Sequence, residues 1–157
     1  MKVSKYFTLD EMIVSAIAER QGLDNTPTTE VAVTATLTAL MMDKVREILG
    51  VPVIPSSWIR TPAVNTAVGS KNPKSQHIRG EAVDFRASTF GTPIEIAKVL
   101  AANKEKLQLD QLILEYSWVH ISFPINPPRK PRLEVLTLLA DGSYASGITD
   151  KSGKPIT

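Results

Sequence analysis

The chain has 157 residues, 43% of them hydrophobic, a formal net charge of +2 and no cysteine. That length suits one domain with its own core, and the missing thiols exclude disulfides, thiolate metal sites and cysteine nucleophiles. Lysines and arginines are scattered, which argues against a nucleic-acid partner, and no apolar run is long enough for a membrane span.

In chain order, "MKVSKYFTLDEM" lacks the apolar core and cleavage site of a secretory signal, so the protein is expected to be made in the cytoplasm. Thr8 followed by Glu11 forms a capping-box pattern and predicts a helix ending at Gly22. Thr28 or Thr29 caps a second helix from Glu30 to Leu49, stopped by Gly50 and Pro52, with Val33, Leu37, Leu40, Met41, Val45 and Ile48 as its core-facing stripe. "VPVIPSSWI" reads as a strand interrupted at Pro55, and the stretch from Arg60 to Gln76 as a long irregular loop. "GEAVDFRA" is a strand, Thr92 and Pro93 open a helix running to about Lys104, and "LDQLILEY" and "SWVHISF" are two coupled β runs. "PINPPRKP" suits neither helix nor interior strand and reads as a connector, and "LEVLTLLADGSYASGI" predicts a hairpin turning at Asp141 and Gly142. Helices first and antiparallel strands afterwards give an α+β fold. Residues 1–50 form its helical part, 51–124 the core that carries any site, and 125–157 a linker and hairpin.

Only two histidines are present, His77 and His120, each set among small or apolar residues. With Asp84 they make a set of two imidazoles and one carboxylate, which leaves a position open on zinc, as catalytic zinc requires. The same residues also suit hydrogen-bonded packing histidines with Asp84 paired to Arg86. A ferrous centre fits less well, since no carboxylate stands two residues after His77. Glu115 is the candidate base and Asp110 its reserve. Tyr116, Trp118 and Trp58 read either as core or as groove walls.

"SQHIRGEAVDF" matches S-x-H-x-x-G-x-A-x-D, and "YFTLDEM", "NTP", "PSSWIRTPAVNTAVGS" and "DQLILEYSWVHISF" accompany it in order. Over residues 6–123 the chain thereby resembles the zinc D-alanyl-D-alanine carboxypeptidases, VanY-like peptidoglycan metallopeptidases, in their phage-associated endolysin-like branch. The resemblance implies Zn2+ on His77, Asp84 and His120, Glu115 as the catalytic base, and Arg60 holding a substrate carboxylate or the anionic intermediate. Ser75, Gln76 and Asn65 are implied substrate contacts. The implied activity is hydrolysis of peptidoglycan stem peptides next to a D-amino acid, by a monomer acting on the bacterial wall after release or as part of a virion. One departure stands out. The family commonly spaces base and last ligand as Glu-x-x-His, whereas "YSWV" separates Glu115 from His120, and an offset of five on one regular strand points the two to opposite faces. A bulge or tight turn at Tyr116 and Ser117 is needed to bring them together. The alternative reading is a non-catalytic peptidoglycan-binding or structural virion module, and a third is a structural domain with packing histidines.

Overall fold

The structure is a computed structural model that describes residues 1–156. Its elements run α1 (Leu9–Ile13), α2 (Ala16–Gln21), α3 (Thr29–Leu49), β1 (Ile54–Ser57), α4 (Pro62–Ala67), β2 (Ala82–Arg86), α5 (Pro93–Ala102), α6 (Lys104–Leu107), β3 (Gln111–Leu114), β4 (Val119–Ser122), β5 (Glu134–Leu138) and β6 (Tyr144–Ser146). The strands form one sheet in the order β1-β2-β4-β3-β5-β6, antiparallel except where β5 joins β3 in parallel. The fold is α+β, as the order of the elements in the sequence implies.

Local chemistry explains where the helices differ from the sequence pattern. The single N-terminal helix is two, because Val14 leaves the helical region and the Ser15 side chain accepts from Ala18 N–H, restarting the helix as α2. The loop after Arg60 contains α4, capped by Thr61 with Pro62 in its first turn, the same Thr-Pro device that opens α5 at Thr92 and Pro93.

The buried face of α3 also differs from the leucine-rich stripe. Val33, Leu37 and Leu40 are exposed, while Thr34, Ala35, Thr38, Ala39, Met42, Val45 and Leu49 are buried. The reason is a close approach by the chain leading into β2. Thr38 Oγ1 and Trp58 Nε1 both donate to the Gly80 carbonyl, at 2.9 and 3.3 Å. A Cβ added at Gly80 would stand 3.0 Å from the Val31 carbonyl oxygen and 3.2 Å from the Ala35 Cβ. Only small residues on the first half of α3 permit that contact, so Val33, Leu37 and Leu40 turn outward while Met42, Val45 and Leu49 farther along the helix stay in the core.

Alternation along the strands then separates two faces. Val83 and Phe85 of β2, Val119 and Ile121 of β4, and Leu112 and Leu114 of β3 enter the core shared with α3 and α5. The opposite face carries Asp84, His120 and Ile113, aligned by the pairs Asp84 with His120 and His120 with Ile113. At the edge strand β1, Ser56 is an extra residue between the pairs Pro55–Phe85 and Ser57–Asp84. This bulge sets Ser57 beside Asp84 and turns Trp58, fully buried, into the core against Phe7.

Gly80→Ala is expected to lose roughly 2–4 kcal/mol in urea unfolding, combining a left-handed φ of +79° with the contact against α3. Gly69→Ala, with φ +87° and nothing within 4 Å, is expected to lose only about 1 kcal/mol. Equal losses would remove the close approach as the reason for glycine at position 80.

Candidate metal centre

The register of β2 against β4 decides the centre. Asp84 and His120 are directly opposed, and His120 Nδ1 lies 2.8 Å from Asp84 Oδ1. His77 reaches the same carboxylate from the turn before β2, its Nε2 3.4 Å from Asp84 Oδ2. That turn is held by Glu81 N–H to the Gln76 carbonyl, Gly80 N–H to the His77 carbonyl and Arg60 N–H to the His77 carbonyl. His77 Nδ1 sits 2.7 Å from the Trp58 carbonyl oxygen, so Nδ1 carries the hydrogen and Nε2 keeps its lone pair for a ligand. The two imidazole rings stand edge to face, 5.2 Å between centres. Donor atoms of His77, Asp84 and His120 all lie within 4.8 Å of one another, a geometry one metal ion can share.

The electrostatics suit a divalent cation. Burial holds the His77 imidazole below its ordinary pKa against the pull of Asp84, which keeps it neutral and available as a ligand. Burial alone would raise the Asp84 carboxyl, but the two imidazoles hold it well below the usual carboxylate range. Two imidazole nitrogens and one carboxylate leave room on a tetrahedral zinc, so the residues present fit that ion. Arg60 flanks the cluster, its Nη2 3.2 Å from Asp84 Oδ2 and its Nε on Ser57 Oγ. Asp84 therefore pairs with Arg60 rather than Arg86, whose Nε donates instead to the Ser117 carbonyl.

Glu115 joins this group through the β3–β4 hairpin. Glu115 N–H donates to the Trp118 carbonyl, leaving Tyr116 and Ser117 as a two-residue turn with Tyr116 at φ +61°. Leu114 pairs with Val119 and Ile113 with His120, so Glu115 and Trp118 form the next pair and share the face of His120. The five-residue offset is thus compatible with one face, because it crosses a turn instead of running along a strand. Trp118 Nε1 donates to Glu115 Oε2 at 2.8 Å. Burial, and then the charge of Asp84, raise the Glu115 carboxyl above its ordinary pKa. Arg60, His77, Asp84, Glu115 and His120 all line one cleft of about 590 Å³.

The family model described as Peptidase M15 matches residues 5–122, which span all of these side chains. The chain belongs to the peptidase M15 family. The M15 peptidases are zinc-dependent metallopeptidases, and the His77–Asp84–His120 cluster is able to bind such an ion here. No match is found among curated proteins.

In this M15 peptidase the remaining candidates separate clearly. Ser75 and Gln76 line the cleft, Ser75 Oγ accepting from His77 N–H at 3.3 Å. Gln76 is engaged by protein, donating to Asp110 and Glu81 and accepting from Arg132. Asn65 is buried away from the cleft lining, its amide donating to the Asn72 carbonyl, and its Oδ1 has no partner among the described residues. Asp110, the reserve base, is taken by Arg132 and Gln76 and does not join the metal cluster. Trp58 is core, and the Tyr116 hydroxyl donates to the Thr149 carbonyl, so of these three aromatics Trp118 lines the cleft. Tyr144, which the sequence did not single out, lines it from β6.

Titration of the metal-free protein with zinc is expected to give one ion per chain and to raise the unfolding free energy by about 2.7 kcal/mol at a hundredfold excess over the dissociation constant. His77→Ala and Asp84→Asn are expected to abolish both effects in calorimetry and thermal melts. Stoichiometric zinc in either variant would remove that residue from the ligand set.

Proposed function

We propose that this chain is a peptidoglycan hydrolase that cuts stem peptides beside a D-amino acid, as a D,D-carboxypeptidase or an L-alanyl-D-glutamate endopeptidase, in phage lysis or in a virion tail. The observation that carries a hydrolytic reading is Glu115, a carboxylate of raised pKa in the same cleft as the three ligands. The peptidoglycan part rests on the signature from Ser75 to Asp84 and the blocks around it.

His77, Asp84 and His120 would hold a zinc ion, which would supply Lewis acidity to the carbonyl and lower the pKa of the attacking water. Glu115 takes the proton of the attacking water on its free carboxylate oxygen while Trp118 holds Oε2 in place. It then delivers that proton to the departing amine, a transfer worth about 10²–10⁴ in rate. Arg60, partly buried between Asp84 and Glu115, offers its remaining N–H groups to the charge that develops on the carbonyl oxygen or to a substrate carboxylate. Hairpin geometry accounts for the long Glu115–His120 spacing, the departure from the Glu-x-x-His pattern.

Purified sacculi are expected to release new amino groups with the zinc-loaded protein, to stop doing so on chelation and to resume when zinc returns. Glu115→Gln is expected to lower kcat by about 10²–10⁴ while keeping zinc. Intact sacculi and intact stem peptides with zinc-loaded wild type would refute the peptidoglycan assignment.

The raised carboxyl of Glu115 gives a second test with a definite sign. A group raised on folding favours the native state below its unfolded pKa, about 4.3, and that contribution is lost as pH rises through the folded value. In the metal-free protein Glu115→Gln is therefore expected to be no more stable than wild type near pH 4, and to gain on it progressively toward neutrality. An advantage that is constant with pH would contradict the buried, disfavoured charge.

A further inference from the structure

The cleft runs past the metal centre to a second charged group that no step above uses. Arg79, Arg129 and Arg132 line it there, and Lys74 lines the same cleft. Two carboxylates, Glu81 and Asp110, lie beneath them, essentially inaccessible at 0% and 1% exposure. Arg129 grips both Glu81 oxygens at 2.9 Å, and Arg79 Nε reaches Oε1 at 2.9 Å. The N–H groups of Ile125 and Asn126 fill Oε2. Asp110 is filled likewise by Arg132 Nη2, Arg132 N–H and Gln76. Both carboxylates are thus consumed from below.

The cations are not. Arg79 engages Glu81 through Nε only, and Arg132 engages Asp110 and Gln76 through Nη2 only, with Nη1 3.9 Å from Glu134. Lys74 has no ion pair among the described residues. The side chains of Arg79 and Arg132 are 41% and 51% exposed, so the guanidinium edges that face the cleft remain open. Even with Glu134 counted, four cations meet three carboxylates, and the open donors are all positive. A network meant only to staple residues 124–132 to the core has no use for these spare donors.

The geometry points to an anion subsite, formed by Lys74, Arg79 and Arg132, that binds a second carboxylate of an acidic peptide substrate. Asp110 precedes by three residues Ile113, which stands opposite His120, so the subsite lies about 10 Å along the strand direction from the ligands. An extended peptide covers that distance in about three residues. Guanidinium groups suit a carboxylate at this range because their planar donors meet both of its oxygens. Arg129 and Arg132 lie beyond the residues matched by the family model, so the C-terminal segment supplies part of this end of the cleft. This inference rests on the peptidase reading above and names an internal carboxylate as part of what the cleft selects.

The test measures binding apart from turnover, with zinc-loaded Glu115→Gln and two probes. One is a stem pentapeptide with its internal carboxylates free, and the other is the same peptide with those carboxylates amidated and its C-terminal carboxylate kept. In calorimetry the acid is expected to bind about tenfold more tightly than the amide, with the preference falling as salt rises. Arg132→Gln is expected to reduce the preference to within a factor of about two. Lys74→Gln, at an exposed loop position without a structural bond to lose, is expected to reduce it in part. Equal affinity for acid and amide, or a preference unchanged in both variants, would overturn the subsite. Failure of wild type to cut either peptide, with the acid preference intact, would strike the proposed hydrolysis and leave the subsite standing.

Discussion

Asp84 and His120 face one another across two antiparallel strands, and the rest of the centre is arranged around that pairing. Side chains on a strand alternate, so a slip of one residue between β2 and β4 would send one of the two into the core and the other into the cleft. The core side of the same strands fixes the register, since Val83, Phe85, Val119 and Ile121 must all be buried together. Hydrophobic packing on one face thereby holds ligand geometry on the other. His77 is not on a strand and needs different support, which it gets from the Trp58 carbonyl, itself positioned by the bulge at Ser56 and by the burial of the indole.

The His77–Asp84 part of the cluster was legible because a short turn and a strand give it a local signature that resembles a known family, whereas His120 comes from a separate strand and is tied to them by that resemblance alone. Other features were hidden for physical reasons. The break between α1 and α2 turns on one serine hydroxyl, which in a stretch of apolar periodicity reads as an ordinary helical position. The burial of α3 was misread because apolar content marks the expected inner face, whereas here the neighbouring backbone at Gly80 comes so close that alanine and threonine are the residues that fit. The helix α4 carried a legible signal in Thr61 and Pro62, outweighed by the surrounding glycine, serine and proline. Glu115 stands in the cleft beside the cluster although its distance from His120 in sequence conflicts with strand periodicity. Hairpin pairing obeys a different rule, in which residues facing each other across the turn share a side, and sequence spacing alone does not reveal where the turn falls.

The cleft joins two electrostatic regimes. Near the ligands, carboxylates outnumber free positive groups, with Asp84 and Glu115 set against Arg60. Toward the connector, buried Glu81 and Asp110 order a layer of arginines above them, a use of buried charge that is tolerable only because nearly every carboxylate oxygen is hydrogen-bonded. The proline-rich connector, which by composition alone could be an inert spacer, is anchored by these bonds and becomes part of the cleft wall.

The parallel union of β5 with β3 has a consequence for how the molecule is assembled. All three ligands and Glu115 precede residue 121, and the strands that align them are neighbours joined by a hairpin or one helical crossover. Arg132 and Tyr144 come later, and they reach the cleft only when β5 adds to the free edge of β3. During synthesis, which proceeds from the N-terminus, the ion-holding half has its full complement of residues before the opposite wall has emerged. The metal ligands and the wall that faces them thus come from successive stretches of the chain, joined in the sheet only where β5 meets β3.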